Sequence, residues 1–290
     1  MMVMTMEVTM KYGIVVDSGC DMKDFRSDVD KLIDFTRVPL KLDIGNKEFV
    51  DDFNLDIDEF MKEMYAYKGK TGSAAPSPDD YIKAFEKSEN VFVITITGAL
   101  SASYSSARTA KDLFIENYPD RKIHLIDSKS TGPEMTLIVR KLTELMEEGL
   151  RFEDIVTIIE EYRKSTHLLF ILQSLENLVK NGRVSRLKAS MAGILGIKML
   201  GIASEEGTLE LLNKSRGKLT VYDKAIEEML SRNYRGGKVV IAHCYNIEIA
   251  EYIANSIKNQ YPSCEIEIMK TSGLCSYYAE QGGILIGFEA

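Results

Sequence analysis

Short apolar runs alternate along this chain with longer stretches in which apolar residues recur every three or four positions. The runs are rich in β-branched and aromatic residues and predict buried strands, whereas the longer stretches predict amphipathic helices. In the first half, strands are predicted at 12–17, 91–97 and 122–127. Helices are predicted near 21–35, 56–68, 101–116 and 152–165, and one more helix is predicted to end at Gly149. Strand–loop–helix units of this spacing predict an α/β fold. Its N-terminal sheet is expected to be mostly parallel, with helices on both faces and three layers in all.

One part of the first half departs from this alternation. Residues 37–44 and 47–52 alternate apolar with polar side chains around Gly45-Asn46, and this pattern predicts a hairpin. The segment KTGSAAPSPDD at 70–80 is predicted to be a loop by its composition, and Ser77 or Asp79 is expected to start the next helix.

The second half of the chain has a mixed pattern. Its predicted strands are 167–172, KMLGIAS, TLELLNKS, 238–243, 264–270 and 283–288, and its predicted helices lie near 174–183, 187–196, 219–232 and 246–259. KMLGIAS and TLELLNKS are expected to pair antiparallel around Glu206-Gly207. We therefore predict two domains: residues 1–166 with the parallel sheet, and residues 167–290 as an α+β domain with a mixed sheet.

Composition narrows the classes of function. Among 290 residues, 36 Lys and Arg stand against 44 Asp and Glu, which gives a formal net charge of −8. An acidic protein is a poor candidate for broad nucleic-acid binding, because such binding depends on neutralising phosphates. No apolar run approaches the ~20 residues of a membrane span, and the N-terminal segment lacks the basic region of a signal peptide.

Cysteine and histidine usage bears on metals, redox state and catalysis. The cysteines are scattered without a C-x-x-C pair, so we expect no zinc site, reduced thiols and a cytoplasmic location. The few histidines exclude a His-rich metal cluster, and any His-based catalysis must use one of them. The cysteines are Cys20, Cys244, Cys264 and Cys275, and the histidines are His124, His167 and His243. We expect neither a metal nor a cofactor.

Hydroxyl groups cluster in loops that follow predicted strands. They occur at Asp17-Ser18, from Thr97 to Ser103, at Asp127-Ser128, and within 70–80 as Thr71, Ser73 and Ser77. Because the carboxyl ends of parallel strands meet at one edge of a sheet, we expect these loops to converge there. Hydroxyls together with amides at helix N-termini form a site for an anion such as a carboxylate or a phosphate. Taken singly, each hydroxyl is better explained as a helix N-cap.

Motifs of nucleotide binding and of serine catalysis are incomplete. The chain has no G-x-G-x-x-G and no G-x-x-x-x-G-K-[ST] loop. G-x-S-x-G is absent as well, although GALSAS occupies the same strand-to-helix position. Ser101 would need a base there, and the nearest histidine in sequence, His124, lies on a predicted buried strand. Arg183 follows an Asn181-Gly182 turn, where two interpretations stay open: a solvated surface residue, or a bidentate clamp for an anion.

Seven short segments, in order, are similar to sequence blocks of the DegV family. VVDSGCDM resembles the family's opening D-S-x-x-D, SAAPSPDDY its T-S-Q-P-S loop, and GALSASYSSA its S-S-x-L-S-G-T-Y-x-S-A segment. IHLIDSKST, NLVKNGRVS, LGIKML and IAHCYNIEIA resemble its later blocks. The likeness covers about residues 11–288.

The resemblance implies a two-domain bacterial fatty-acid-binding protein with the acyl chain buried at the domain junction. It implies that Ser73 and Ser101 hold the carboxylate, since they align with the family's carboxylate-binding Thr and Ser. Arg183 matches the arginine of the G-G-R-I-S block, and Tyr278 stands where the family has the histidine of H-t-G-P-G. Arg183, Tyr278 and Thr97 are therefore candidates to contact the head group of the ligand or to take part in the reaction of a partner protein.

The resemblance also implies a partner. Similar members are the lipid-presenting subunit of a fatty acid kinase, which makes acyl phosphate for phospholipid synthesis. A fatty acid needs a long apolar cavity with one polar end, and 14 methionines without tryptophan suit an adaptable lining. The leading hypothesis is therefore a fatty-acid-binding protein, not itself an enzyme, that presents lipid to a separate ATP-dependent kinase. The alternatives are a serine-dependent hydrolase or acyltransferase using Ser101, and a binding module for another small anion.

Overall fold

The computed structural model describes residues 12–27, 33–184, 197–216 and 220–290. In chain order its elements are β1 (Tyr12–Asp17), β2 (Ile33–Val38), β3 (Lys41–Ile44), β4 (Lys47–Val50), α1 (Ile57–Ala66), β5 (Thr71–Ala74), α2 (Pro78–Phe85), β6 (Asn90–Thr95), α3 (Ser103–Asn117), β7 (Lys122–Asp127), α4 (Pro133–Glu147), α5 (Phe152–Tyr162), β8 (Thr166–Leu172), α6 (Glu176–Lys180), β9 (Lys198–Ala203), β10 (Leu209–Ser215), α7 (Thr220–Ser231), β11 (Val239–His243), α8 (Ile247–Gln260), β12 (Ile266–Lys270), α9 (Gly273–Ala279) and β13 (Ile284–Glu289). These strands pair into three sheets.

The first sheet is parallel, with strand order β2-β1-β6-β7. Successive side chains of a strand point to opposite faces. Ile14 and Val16 accordingly pack with α4 and α5, whereas Val15 packs with α2 and α3. This confirms the α/β arrangement with helices on both faces that the sequence predicts.

A second sheet of three short strands, in the order β4-β3-β5, adjoins the first and is an addition to the predicted fold. The hairpin between β3 and β4 is confirmed, with Gly45 at a φ of 60° in its turn. Residues 37–44 are not one strand, however. Arg37 and Val38 pair with β1 in the parallel sheet, and Pro39, which has no N–H to donate to a ladder, separates them from β3.

Residues 70–80 contain a strand where the sequence predicted only a loop. β5 pairs antiparallel with β3, and Ser73 lies opposite Leu42. Glycine, serine and alanine have low strand propensity, so the sequence pattern gave no signal for this strand. The next helix begins where expected, because Ser77 caps α2 by accepting from the Asp80 amide.

The predicted helix near 21–35 is wrong. Residues 21–27 have no regular structure, β2 occupies the end of the predicted helix, and 28–32 lie outside the described residues. The Asp21 carboxylate accepts hydrogen bonds from the amide and hydroxyl of Ser272 at 2.7 and 2.8 Å. It is therefore engaged by a distant element and does not cap a local helix.

The third sheet is mixed, with strand order β10-β9-β8-β13-β11-β12. β11 and β12 are parallel, and the other neighbours are antiparallel, including the predicted hairpin of β9 and β10. α7 and α8 pack on the face that bears Leu169 and Ile171 of β8. Five of the six strands follow residue 166 and β8 begins at Thr166 itself, while the proposed domain boundary there stays a prediction. The predicted helix at 187–196 lies outside the described residues.

Helix α4 lies between the parallel and the mixed sheets. It contacts β1 and β6 on one side and β8, β11 and β13 on the other, and every residue from Pro133 to Val139 is buried. Gly287 of β13 permits the close approach, since an added Cβ would lie 2.7 Å from the Glu134 nitrogen. The two sheets therefore share one apolar helix as a common layer.

Candidate functional site

A cavity of about 250 Å³ lies between the carboxyl edge of the parallel sheet and one face of the mixed sheet. The loops after β6 and β7 line one side, strands β8, β10 and β13 line the opposite side, and β5, α6 and α9 complete the wall. Most of the lining is apolar, with Leu168, Phe170 and Leu172 of β8 and Leu285 of β13 on one continuous face. Such a lining favours a ligand with a large apolar portion.

The five residues that the family resemblance makes candidates for the site all line this cavity, whereas Ser18, Thr71, Ser77 and Ser128 of the hydroxyl-bearing loops do not. The five are Ser73, Thr97, Ser101, Arg183 and Tyr278. They come from four separate parts of the chain and are brought together by the convergence of β5, the loop after β6, the turn after α6, and α9. Their roles in binding stay predictions, whereas their placement in one lining is a property of the structure.

Ser73 and Tyr278 form a hydroxyl pair within the lining. The Ser73 Oγ lies 2.8 Å from the Tyr278 Oη, and either oxygen can be the donor. Burial raises the pKa of Tyr278 above its ordinary value of 10.0, so its phenol is protonated at neutral pH. The charge of Arg183 acts in the opposite direction on the same pKa, which places the guanidinium close enough to influence this pair.

Arg183 is half-buried and bonded to the backbone. Its Nε donates to the Leu100 carbonyl at 3.2 Å, and its Nη1 donates to the Asn181 carbonyl at 2.5 Å. Gly182, at a φ of 73°, provides the turn that directs the chain back from α6. Arg183 is therefore held against the loop that precedes Ser101, and the interpretation as a fully solvated residue does not apply.

Ser101 and Thr97 differ in how their hydroxyl protons are used. The Ser101 Oγ accepts from the Ser103 amide at 3.2 Å, at the start of α3, so its own proton stays available to a ligand oxygen. The Thr97 Oγ1 donates to the Gly207 carbonyl at 2.8 Å, in the turn between β9 and β10. Thr97 therefore joins the two sheets through its single proton, and a head group could accept that proton only in place of the Gly207 carbonyl.

Asp17 supports the site from behind. Its carboxylate accepts from the amides of Gly19 and Ile96, each at 2.9 Å, and from the Ser103 hydroxyl at 2.6 Å. Burial raises the pKa of Asp17 to about 6, and these three hydrogen bonds favour its ionised form. Asp17 thus fixes the loops after β1 and β6 and the start of α3 without lining the cavity.

A buried ion pair holds α9 in place. Asp51 accepts from the amides of Gly273 and Leu274 at 2.9 and 2.8 Å, and the Arg37 Nη2 lies 3.3 Å from its Oδ1. Both charged side chains are 1% exposed. Burial raises the pKa of Asp51, whereas the Arg37 guanidinium lowers it. Since α9 contributes Tyr278 to the cavity, this pair positions part of the site.

The sequence pattern did not predict α9. All its residues except Tyr278 are buried, so the segment shows no amphipathic period. Only the alignment of the family's final block pointed to Tyr278. The network around Asp51 was also missed, because Arg37, Asp51 and Ser272 lie far apart in sequence and no short motif links them.

The three histidines lie outside the lining of this cavity as the structure describes it. The His124 Nε2 lies 2.9 Å from Glu160, and the His243 Nδ1 accepts from the Asn246 amide at 3.2 Å. His167 is on β8, with its ring against Phe288. Ser101 therefore has no imidazole base among the described lining residues.

A larger cleft of about 670 Å³ lies behind the turn between β9 and β10. Its lining is charged and includes Glu134, Arg163, Glu205 and Arg232. Apolar chains gain little in such surroundings, because the charged groups must keep their own partners. The smaller apolar cavity is the better candidate site.

The described ranges bear on metal binding and on membrane spans. There, no three His, Cys, Asp or Glu side chains are grouped so that they could hold a metal ion. Within the same ranges, no helix has the length and apolar character needed to cross a bilayer. The cysteines are all free and buried.

Known proteins resemble this chain over nearly its full length. A family model described as an uncharacterised protein of the DegV family matches residues 11–290. A DegV domain-containing protein of Streptococcus pneumoniae is 46% identical over 280 residues, which are 97% of this chain and 99% of the relative. A relative from Streptococcus pyogenes is 48% identical over 97% of this chain and all of its own length.

Solved structures are similar as well. The Streptococcus pneumoniae Fatty Acid Kinase (Fak) B3 protein loaded with linoleic acid has a TM-score of 0.93 and 45% identity, covering 97% of this chain and 99% of that one. A Eubacterium eligens protein loaded with heptadecanoic acid has a TM-score of 0.91 and 40% identity, covering 96% and 99%. Both similar proteins hold a long-chain fatty acid.

Proposed function

This chain belongs to the DegV family, and from that premise we propose that it binds a long-chain fatty acid and presents it to a separate kinase. One observation supports this most strongly. A single cavity combines apolar walls with the hydroxyls of Ser73 and Ser101 and the guanidinium of Arg183.

The apolar walls supply the affinity in this proposal. Burying one CH₂ group is worth about 0.8 kcal/mol, so a ~16-carbon chain contributes on the order of 10 kcal/mol before the entropic cost of binding. The leucines of β8 and β13 offer a continuous surface for such a chain.

The carboxylate needs its own partners, because a buried unpaired anion is strongly unfavourable. Ser73 and Ser101 are proposed to donate to it. The Tyr278 phenol, bonded to Ser73, can donate to the Ser73 Oγ and thereby direct the serine proton toward the ligand. Arg183 lies beside this group and adds positive potential.

A kinase partner is proposed from the family resemblance and from the similar protein named Fatty Acid Kinase (Fak) B3 protein. The partner would supply ATP and metal, while this chain binds and orients the acid. Arg183 is the candidate to stabilise charge as the carboxylate becomes an acyl phosphate. Its hold on two backbone carbonyls would keep the guanidinium fixed for that task.

The alternative is a hydrolase or acyltransferase with Ser101 as nucleophile. It is disfavoured because the described lining offers no histidine to activate that serine. The Ser101 Oγ instead accepts from the Ser103 amide at the start of α3.

Native mass spectrometry of the purified protein tests the proposal. We expect a noncovalent added mass of about 250–285 Da, that of a 16- to 18-carbon acid, which is lost under denaturing conditions. An acyl mass that survives denaturation and maps to Ser101 would favour the alternative instead. Protein that is empty and takes up no added fatty acid would contradict lipid binding.

A further inference from the structure

The ring of Phe170 lies on the neighbouring strand within the cavity wall. Phe170 of β8 is paired with Gly201 of β9, lines the cavity and is 2% exposed. A Cβ added to Gly201 would lie 2.2 Å from the Phe170 Cζ and 2.5 Å from its Cε2. The end of the ring therefore fills the space that a side chain at 201 would otherwise occupy.

The position of this pair gives it influence over the cavity. Met199 and Ala203, the neighbours of Gly201 on the same face of β9, pack against the cavity-side cluster, whereas Leu200 packs with α7 on the opposite face. Gly201 thus interrupts the row of side chains that faces the cavity. The Phe170 ring lies across this gap. If the ring instead pointed straight out from β8, it would fill part of the cavity.

We propose that the Gly201–Phe170 pair sets the length of acyl chain that the cavity accepts. This rests on the proposed binding of a fatty acid. Gly201 provides the place for the ring, and the ring forms the wall against which the chain packs. A side chain at 201 would move the ring into the cavity, and a smaller side chain at 170 would enlarge the cavity.

The test measures dissociation constants for saturated acids of 12 to 20 carbons, with delipidated protein. Each methylene of the ligand that can no longer be buried lowers the affinity about fourfold. We therefore expect Gly201→Ala to lower the preference for the 18-carbon over the 12-carbon acid by at least about tenfold. Phe170→Leu is expected to shift the preference in the opposite direction, toward longer chains.

Two further variants make the result specific. Leu200→Ala removes a buried side chain from the same strand on the face away from the cavity, so it should lower stability without changing the chain-length preference. Gly201→Ala combined with Phe170→Leu should recover part of the wild-type preference, because the shorter side chain yields space to the new Cβ. Recovery is expected to be incomplete, since that Cβ would also lie 2.4 Å from the Glu210 carbonyl oxygen.

The outcomes separate this inference from the proposed function. Opposite shifts in Gly201→Ala and Phe170→Leu would support it. If Gly201→Ala does not fold, Phe170→Leu decides alone. Wild-type protein that binds fatty acids, with an unchanged preference in the folded variants, would overturn the inference and leave lipid binding intact. Wild-type protein that binds none of the acids would overturn both.

Discussion

Ser73 and Ser101 are the residues on which carboxylate binding depends most directly. Replacing both by alanine removes two hydroxyl donors from an anion, at a cost of roughly 1.5–3 kcal/mol for each charge-assisted bond. Fatty acid affinity is expected to fall by more than about tenfold, while the melting temperature of the ligand-free protein changes little. Calorimetric titration of the fatty acid into delipidated protein measures this loss of affinity.

Ser105→Ala is the matched control, because that hydroxyl is on the exposed side of α3 and donates to the Ala102 carbonyl. Equal affinity of wild type and double variant would show that the serines do not hold the ligand.

Arg183 is expected to serve the partner's reaction more than lipid binding. With a cognate kinase and ATP, Arg183→Ala should lower acyl phosphate formation by a factor of about 10², as expected for one lost charged stabiliser. Fatty acid affinity should change only a few-fold, because the effect belongs to the transition state. Arg183→Lys should recover part of the rate, since lysine restores the charge without the planar fork. If Arg183→Ala is as active as wild type, Arg183 has only a structural role, in the turn after α6.

At the scale of elements, the position of α9 depends on the ion pair of Asp51 and Arg37. Asp51→Asn leaves a buried guanidinium without its counter-charge, and breaking such a pair typically costs about 3–5 kcal/mol. Urea unfolding should show this loss in the free energy of unfolding, together with weaker fatty acid binding. Asp154→Asn is the control, because its partner Arg151 is exposed and such pairs contribute little. A stable Asp51→Asn variant with unchanged binding would contradict the anchoring role.

Elements with a regular apolar period could be predicted from the sequence, and those built by distant contacts could not. The strand that ends at Asp17 and the helix capped by Ser77 follow from local residues, and both are present. The prediction of a helix near 21–35 is wrong, because Ile33–Val38 form β2, and Asp21 bonds to the distant Ser272, a contact that no local pattern reveals. β5 and α9 were missed because small residues and uniform burial show no period. The candidate site residues were identified mainly through the family's motifs, since no local signal links Ser73 to Tyr278.

At the scale of the whole molecule, buried carboxyl groups make stability depend on pH. Burial raises the pKa of Asp17 and Asp21 to about 6 and that of Glu134 to about 7. The native state therefore holds protons that the unfolded chain releases at lower pH. The free energy of unfolding contributed by these groups is greatest below the unfolded values and falls as pH rises through the native ones.

Glu134→Gln tests one of these contributions. Glu134 begins α4 between the two sheets and accepts from the Thr166 hydroxyl at 2.8 Å, and the charge of Arg163 lowers its pKa only in part. The wild type should melt at a lower temperature at pH 8 than at pH 5.5, and the glutamine variant should lose part of this difference. Glu161→Gln, an exposed carboxyl paired with Lys164, should keep it. If wild type and Glu134→Gln have the same dependence of melting temperature on pH, that dependence comes from groups other than Glu134.

The order of the mixed sheet has a consequence for how the protein is made. β13 lies between β8 and β11, so it alone joins the two halves of that sheet, yet every other strand of the sheet precedes it in the chain. During translation β8 emerges long before its neighbour β13 exists, and α4 emerges earlier still with one apolar face uncovered. The growing polypeptide must therefore expose hydrophobic surface until residues 284–289 have been added. During this period the nascent chain is a substrate for chaperones.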